Sequence, residues 1–397
     1  MMNSKIVIGK PELLKRINRN SIIKLIFKQG NISRSEIAKI TKLTLPSVMR
    51  IVDGLTEEGL VIDVGKGDSS GGRKPNLICL NRDHLYILGV EIAINTLVVL
   101  TDLSGCTIER WESPQMAYDT PTKMLEEINS VITKLIQKYN IPRDKIAGIG
   151  IGTPGTNFKH HKSKSYAILK GWESIDVKAW FKDKFDCPVY IDNVARTRTL
   201  SELWFGRGRE VKHFIYVFVD QGVGCGIVSN SAIYEGANGV AGEFGHSVIE
   251  YHGRECYCGN RGCIEMYVSA GAIISEISET LKLNPNKKMT FREVMAYENE
   301  DEANAILIKS AKVLSVGIAN LINIFNPQMV VIGGIVPINS KVFTNVLFHE
   351  VNQSIFSNAA VETEIVLSEI EMSASGLGSV ALVVNETFKS VVVAEQG

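Results

Sequence analysis

Cys256, Cys258 and Cys263 fall within eight residues, in the run Cys-Tyr-Cys-Gly-Asn-Arg-Gly-Cys. A cytosolic chain keeps its thiols reduced, so a cluster this dense points to metal ligation rather than to a disulfide or to packing. Zinc takes four thiolate or imidazole ligands in a closed tetrahedral site. The spacing therefore predicts a structural Zn(2+), with a fourth ligand from His246 or His252, both close in sequence. The two glycines of the run let the backbone fold around the ion.

A second set of residues suits phosphates and base edges. Ser33-Arg34-Ser35-Glu36 reads as a Ser-x-x-Glu capping box that opens a helix. A helix N-terminus is a ready phosphate seat, which makes Ser33, Arg34 and Ser35 candidate DNA contacts. The next helix opens at Thr44 and tolerates Pro46 in its first turn, where an amide donor is expendable. Val48, Ile51, Val52 and Leu55 recur at helical spacing and turn inward. Thr44, Ser47 and Arg50 are left facing outward. Arg50 has the reach for a guanine edge or a phosphate, and Thr44 and Ser47 suit backbone or mixed base contacts.

Elements must hold these groups in place. A first helix is expected from about Ser21 to Lys28 on Ile22, Ile23, Leu25 and Ile26, and Gly59 ends the third. Leu60–Val64 and Leu77–Leu80 read as strands around the tip GKGDSSGGRKPN. Three short helices followed by a glycine-tipped hairpin describe a winged helix-turn-helix, placed at residues 1–82, with operator DNA as its partner. Arg73 and Lys74 at the wing tip are placed to enter a minor groove. The charge agrees: the first 80 residues carry 14 Lys and Arg against 7 Asp and Glu, leaving 29 against 36 for the rest of a chain with no net charge.

From about Tyr86 the pattern becomes α/β. YILGVEIA and TLVVLTD read as a hairpin, TIERWES as a third strand, Thr122–Tyr139 as an amphipathic helix, and IAGIGIGT and PVYIDN as buried strands. After a helix near Arg196–Phe205, FIYVFVD, a glycine turn and GIVS echo the first hairpin, which predicts two related lobes. A helix around Ala311–Phe325, the strand MVVIGG and a final helix near Ser375–Phe388 complete the second half. The expected division is 83–200 for the first lobe, with a C-terminal helix of about 375–397 packing back on it, and 201–374 for a second lobe with the metal site. The chain is 45% hydrophobic and 22% charged, as in globular proteins. Its start lacks a cleavable apolar leader and no run reaches 18 uninterrupted apolar residues, so a cytoplasmic location away from membranes is expected. Cys79, Cys106, Cys187 and Cys225, scattered among apolar neighbours, are expected to be small buried hydrophobes.

At four places the residues become specific. GIGIGTPG (Gly148–Gly155), EGANGVAGEFGH (Glu235–His246), CYCGNRGCIE (Cys256–Glu265) and NLINIFNPQMVVIGG (Asn320–Gly334) resemble the ROK family of repressors, uncharacterised reading frames and sugar kinases. The winged-helix front end resembles its repressor branch, which includes xylose and N-acetylglucosamine repressors. The resemblance implies an actin/hexokinase-like body of two lobes with a sugar cleft between them. It also implies His246 as the fourth zinc ligand, and Asn193, Glu243, His246 and Glu265 as the residues that hold sugar hydroxyls. Carboxylates and an amide supply the acceptors and donors that vicinal hydroxyls demand. An imidazole has one nitrogen for a metal and another for a sugar.

The sequence departs from the family's kinase pattern at three points. Kinases of the family carry Asn-Asp-Ala-Asn with the Asp as base, whereas here the run is Asn193-Val194-Ala195-Arg196. The first phosphate loop, Asp-x-Gly-Gly-Thr in kinases, reads Glu91-Ile92-Ala93-Ile94-Asn95. The second, Gly-Thr-Gly-x-Gly, reads Asp220-Gln221-Gly222-Val223-Gly224. Val194 accepts no proton, the lost glycines obstruct backbone approach to phosphate, and Asp220 repels it. Sugar groups kept beside phosphate groups lost imply a sensor without kinase activity: a repressor, as a homodimer or dimer of dimers, released by a sugar or sugar phosphate. The readings weighed against it are a sugar kinase with an appended DNA-binding head and a sugar-responsive activator.

Overall fold

The protein is seen in a computed structural model that describes residues 11–66, 74–93, 96–113, 120–154, 175–285, 287, 289–356, 362–370 and 376–388. Its head begins with helix α1 (Pro11–Gln29), followed by β1 (Ile32–Ser33), α2 (Arg34–Thr41), α3 (Leu45–Glu57), β2 (Val61–Lys66) and β3 (Asn76–Leu80). The capping box forms. The Ser33 hydroxyl accepts the Glu36 amide at 3.2 Å, and the Glu36 carboxylate accepts the Ser33 amide at 2.9 Å. Thr44 is the N-cap of α3, with Pro46 in its first turn. The three strands form an antiparallel sheet in the order β1-β3-β2. Ile22, Ile26, Ile37, Val48, Val52, Leu55, Val61 and Ile78 fill the space between helices and hairpin. Helix α1 begins ten residues before the expected start at Ser21, because its first turns are mostly polar and offer no apolar periodicity.

Among the described residues the body holds two five-stranded sheets. The first contains β4 (Tyr86–Glu91), β5 (Leu97–Asp102), β6 (Thr107–Glu112), β7 (Ile146–Thr153) and β8 (Val189–Asn193), with α4 (Pro121–Lys138), α5 (Val177–Lys182) and α6 (Val194–Trp204) interspersed. The second contains β9 (Phe214–Val219), β10 (Val223–Ser229), β11 (Ala232–Ile233), β12 (Met329–Gly333) and β13 (Glu364–Leu367). Its helices are α7 (Glu265–Val268), α8 (Ala270–Thr280), α9 (Phe291–Val294), α10 (Asp301–Phe325), α11 (Ile335–Asn339) and α12 (Lys341–Ser354), and α13 (Leu377–Thr387) closes the described chain. The sheet orders are β6-β5-β4-β7-β8 and β11-β10-β9-β12-β13. In both, the first three strands pair antiparallel and the last two join in parallel. Numbered within each lobe the order is the same, third-second-first-fourth-fifth, so the echo in the sequence is a repeated topology.

Between the sheets lie two helices. Helix α13 packs on β4 and β7, α6 packs on β9 and β10, and the two pack on each other. The expected lobe boundary at 200 thus falls inside α6, within this shared layer. Its close fit needs Gly150: a Cβ there would collide with the Ser379 carbonyl of α13. The Ser379 hydroxyl donates to the Val90 carbonyl at 2.7 Å and accepts the Gly152 amide at 3.0 Å. Helix α10 has the length and apolarity of a membrane span, but its face of Ala303, Ile306, Leu307, Ala311, Leu314, Ile318 and Ile322 is buried in the second lobe's core.

Of the four scattered cysteines, Cys225 alone is buried, which pushes its thiol up to about 12. Cys79 and Cys187 are half-buried. Cys106 is exposed, because it closes the β5–β6 turn, where its amide donates to Asp102 at 2.9 Å.

Candidate functional site

The glycine-rich segment after β11 and the cysteine run before α7 converge beside the second sheet. His246, Cys256, Cys258 and Cys263 bring one ligand atom each to within 4.8 Å of one another. His246 Nδ1 lies 3.6 Å from Cys256 Sγ, and Cys258 Sγ lies 3.7 Å from Cys263 Sγ. A tetrahedral ion with metal–sulfur bonds of about 2.3 Å and metal–nitrogen bonds of about 2.0–2.1 Å has S···S edges of about 3.8 Å and S···N edges of about 3.6 Å. The cluster therefore has the dimensions of a metal cage, whereas a disulfide would bring two sulfurs to about 2.0 Å. The backbone turns around it through Gly259 and Gly262, both at positive φ. The three thiols share their protons: burial raises Cys256 and pushes Cys263 up to about 12, while at Cys258 burial is outweighed by the Asn260 amide and the neighbouring thiols, which lower it. His252, the other histidine near in sequence, stands outside the cluster with its ring against Tyr251.

With Nδ1 turned to the cysteines, His246 leaves Nε2 on the opposite side of its ring. There it meets the Tyr257 hydroxyl at 3.4 Å, the ring of Tyr257 standing edge-on at 5.3 Å. Tyr257 also hydrogen-bonds Glu265, and burial followed by that carboxylate raises its pKa. Sequence reasoning did not single out Tyr257; its place between two ligand cysteines was the available signal. Glu265, only 7% exposed at the start of α7, accepts the Val223 amide at 2.7 Å. Glu243 is exposed at its surface, yet its carboxyl sits in a recess that strips enough water to raise its pKa. Glu265 adds to that rise, while His246 and Arg196 oppose it. Glu243, His246 and Glu265 thus share one neighbourhood in the second lobe.

Asn193 belongs to the first lobe. It is the N-cap of α6, where its side chain accepts the Ala195 amide at 2.7 Å. Three residues on, Arg196 is gripped by Asp192 and reaches across to the Gly239 carbonyl at 2.6 Å, in the same loop that carries Glu243 and His246. Val194, between them, places only methyl groups beside β7.

The head presents its polar residues unevenly. Thr44 and Arg50 are exposed on α3, and the half-exposed Ser47 joins Thr44 at 2.9 Å. Leu45 and Met49, missed because the apolar count looked only for a buried stripe, are each 46% exposed on the same face, suited to a thymine methyl group. Ser35 is exposed and Arg34 is held between Asp53 and Asp63. Ser33 is 2% exposed with its hydroxyl occupied by the cap, so it shapes the end of α2 rather than facing outward. Lys74 is exposed; Arg73 lies outside the described residues, as do Ile94, Asn95 and Gly155.

Helix α1 leaves the head and docks on the body. Phe27 meets Trp204 edge-on at 5.2 Å, Phe388 at 5.9 Å and Phe205 at 6.1 Å. Lys28 donates to the Arg209 carbonyl at 2.6 Å, and Arg209 donates back to the Lys28 carbonyl.

Residues 88–386 match the ROK family, and residues 15–62 match a winged helix-turn-helix DNA-binding family. A xylose repressor of Caldicellulosiruptor bescii is 32% identical over 95% of this chain and 98% of its own length. The crystal structure of a ROK family transcriptional regulator, a homologue of the E. coli MLC protein, superposes with a TM-score of 0.78 at 23% identity, covering 95% of this chain and 98% of that one. A ROK family glucokinase from Streptomyces griseus, solved with glucose and AMPPNP, superposes with a TM-score of 0.62 at 19% identity over 74% of this chain and 97% of its own. The glucokinase spans the body and not the whole chain, and at that identity it shares the fold.

Proposed function

The chain belongs to the ROK family, and from that premise we propose that it is a DNA-binding transcriptional regulator, a repressor of sugar-utilisation genes released by a sugar or sugar phosphate. Asn193, Glu243, His246 and Glu265 hold the sugar hydroxyls. Ser35, Arg34, Thr44, Ser47, Arg50 and the wing residues Arg73 and Lys74 meet operator DNA, with the Ser33 cap fixing the end of α2 that faces a phosphate. The protein works in the cytoplasm, away from membranes, as a homodimer or dimer of dimers, since two-fold symmetry matches the two half-sites of an operator. A xylose repressor at 32% identity over nearly full length supports the repressor over the activator.

The observation that carries the proposal is the course of α6. Its N-cap is Asn193, the first-lobe residue of the proposed sugar site, and its last residue is Trp204, under Phe27 of the DNA-binding head. A sugar that draws Asn193 toward Glu243 and Glu265 shifts the far end of the same rigid rod, and with it the platform on which α1 rests. The coupling needed is modest, about 1–3 kcal/mol. Zinc, held by His246, Cys256, Cys258 and Cys263, fills all four positions with protein ligands and so acts structurally, fixing His246 with Nε2 toward the sugar. Phosphoryl transfer is not part of the activity. Val194 stands where a base is required, and the carboxylates of Glu91 and Asp220 are engaged by Arg198.

Thermal unfolding against a panel of free sugars and sugar phosphates tests this, followed by operator binding with and without the ligand that is found. A ligand at 100 times its Kd adds about 2.7 kcal/mol, and that ligand should weaken operator binding while the protein phosphorylates no sugar from Mg-ATP. A sugar that binds and leaves operator affinity unchanged would sink the coupling, and sugar phosphate formed from ATP would restore the kinase.

A further inference from the structure

We propose that Arg198 is a positioning residue of the sugar cleft, one guanidinium that ties the two lobes together and aligns the sugar-holding groups of both. The inference rests on the sugar-sensing role proposed above. Arg198 lies in the second turn of α6, within the layer between the sheets. Its Nη2 donates to Glu91 Oε1 at 2.5 Å, and its Nη1 donates to Asp220 Oδ2 at 3.2 Å. Glu91 ends β4 of the first sheet, and Asp220 follows β9 of the second. The guanidinium also sits 4.9 Å above the Phe218 ring, which fixes its plane. One side chain on the shared helix thus joins corresponding strand ends of the repeated sheets.

Each end of this bridge leads to a sugar residue. Asp220 begins the turn that runs to Val223, and its carbonyl accepts the Ala270 amide at the start of α8 at 2.8 Å. The Val223 amide, in turn, donates to Glu265 Oε2 at 2.7 Å. Pulling on Asp220 therefore moves the backbone that orients Glu265. On the other side, Arg198 shares α6 with its N-cap Asn193, five residues away. Arg198 sets the separation of a first-lobe amide and a second-lobe carboxylate that must grip the same ligand.

The charges leave little slack. Glu91 is 1% exposed, and its Oε2 is buried without a partner among the described residues, so Arg198 carries its compensation. Burial works against the charge of Arg198, but the two carboxylates outweigh it and keep the guanidinium ionised. Without the cation, two carboxylates would face each other across the lobes and push them apart. Glu91 and Asp220 are also the acidic residues that open the two segments corresponding to the family's phosphate loops, so the bridge holds both of those segments. A cleft held this way takes up its sugar with no nucleotide.

Arg198→Met alone strands a buried carboxylate and risks unfolding, so the test uses R198M/E91Q, which removes both charges. Asp220→Asn, which leaves the Arg198–Glu91 pair intact, is the milder companion. Calorimetric titration with free D-xylose, D-glucose and N-acetylglucosamine and their phosphates gives the affinity for each. R198M/E91Q should keep its melting midpoint within a few degrees and its sugar-free operator affinity within about threefold, yet bind the sugar at least about tenfold more weakly. D220N and R198K should fall between, since lysine keeps the charge and loses the fork. Unchanged sugar affinity in R198M/E91Q overturns the proposal, as does Mg-ATP tightening sugar binding by the wild type. A wild type that takes up none of the panel overturns the sensor itself, a result distinct from a wild type and a double variant that bind alike.

Discussion

Removing the Phe27 ring is the sharpest way to cut the head from its sensor. Phe27 is half-buried and contacts three aromatic rings, of which Trp204 and Phe388 are themselves buried. A fully buried Phe→Ala substitution costs about 3–5 kcal/mol, and an aromatic pair contributes about 0.5–1.5 kcal/mol beyond its area. For a half-buried ring, roughly 2 kcal/mol of docking energy is lost by the first scale. That equals the whole coupling free energy of a typical allosteric protein, about 1–3 kcal/mol or 5–150-fold in affinity. The head keeps its own core, because Ile22 and Ile26 stay buried with Ile37, Val48, Val52, Leu55 and Ile78, and α1 keeps its contacts to α2, α3 and β3. Phe27→Ala should therefore leave sugar-free operator affinity within a few-fold of wild type. The sugar-induced change should collapse toward unity, while sugar affinity measured by calorimetry stays in place. Fluorescence anisotropy of a labelled operator, titrated with and without sugar, reads both limits. A variant that binds sugar and retains the full wild-type ratio would refute transmission through this junction.

Other substitutions probe the remaining parts. Purified protein should carry one zinc per chain by elemental analysis, and chelation or Cys258→Ser should lower both the melting midpoint and sugar affinity, because His246 loses its anchor. Arg50→Ala should weaken specific operator binding by about 1–3 kcal/mol, with sugar binding untouched, if its side chain reads a base. Ser33→Ala should cost about 0.5–2 kcal/mol of stability through the lost cap, without reducing the salt dependence of operator binding that a phosphate contact would produce. Glu243 has its pKa raised by burial first and by Glu265 next. Holding it ionised therefore costs stability above the ordinary carboxylate range, and the cost disappears as pH falls through the raised value. Glu243→Gln should accordingly raise the melting midpoint at neutral pH, show no gain at a pH below the ordinary carboxylate range, and lose sugar binding.

Local chemistry was legible in the sequence, and long-range chemistry was not. The Ser33–Glu36 cap, the Thr44 start of α3 and the cysteine cage each depend on residues within a few positions of one another, so spacing alone carried them. The repeated hairpin announced two sheets because a buried strand is a short apolar run. The parallel strand β13 and the two-residue β11 passed unnoticed, being too short to show a period. The arginines of α6 were invisible as bridges: their partners lie in other elements, Glu91 more than 100 residues away, and charge on a helix reads as a solvated face until the tertiary structure surrounds it. Choosing between His246 and His252 likewise needed three-dimensional proximity or the family pattern.

Helix α13 bears on how the protein is made. It supplies the inner covering of the first sheet through Ser379 and the closely packed Gly150, and Phe388 just beyond it forms part of the seat for Phe27. A ribosome that has finished the head and both sheets has still not delivered the segment that buries β4 and β7. Until residues 377–388 emerge, the nascent chain exposes an apolar sheet face and the head has an incomplete seat. A polypeptide interrupted after β13 therefore carries a DNA-binding head without its control surface and an uncovered sheet, a species for chaperones and proteases rather than for promoters.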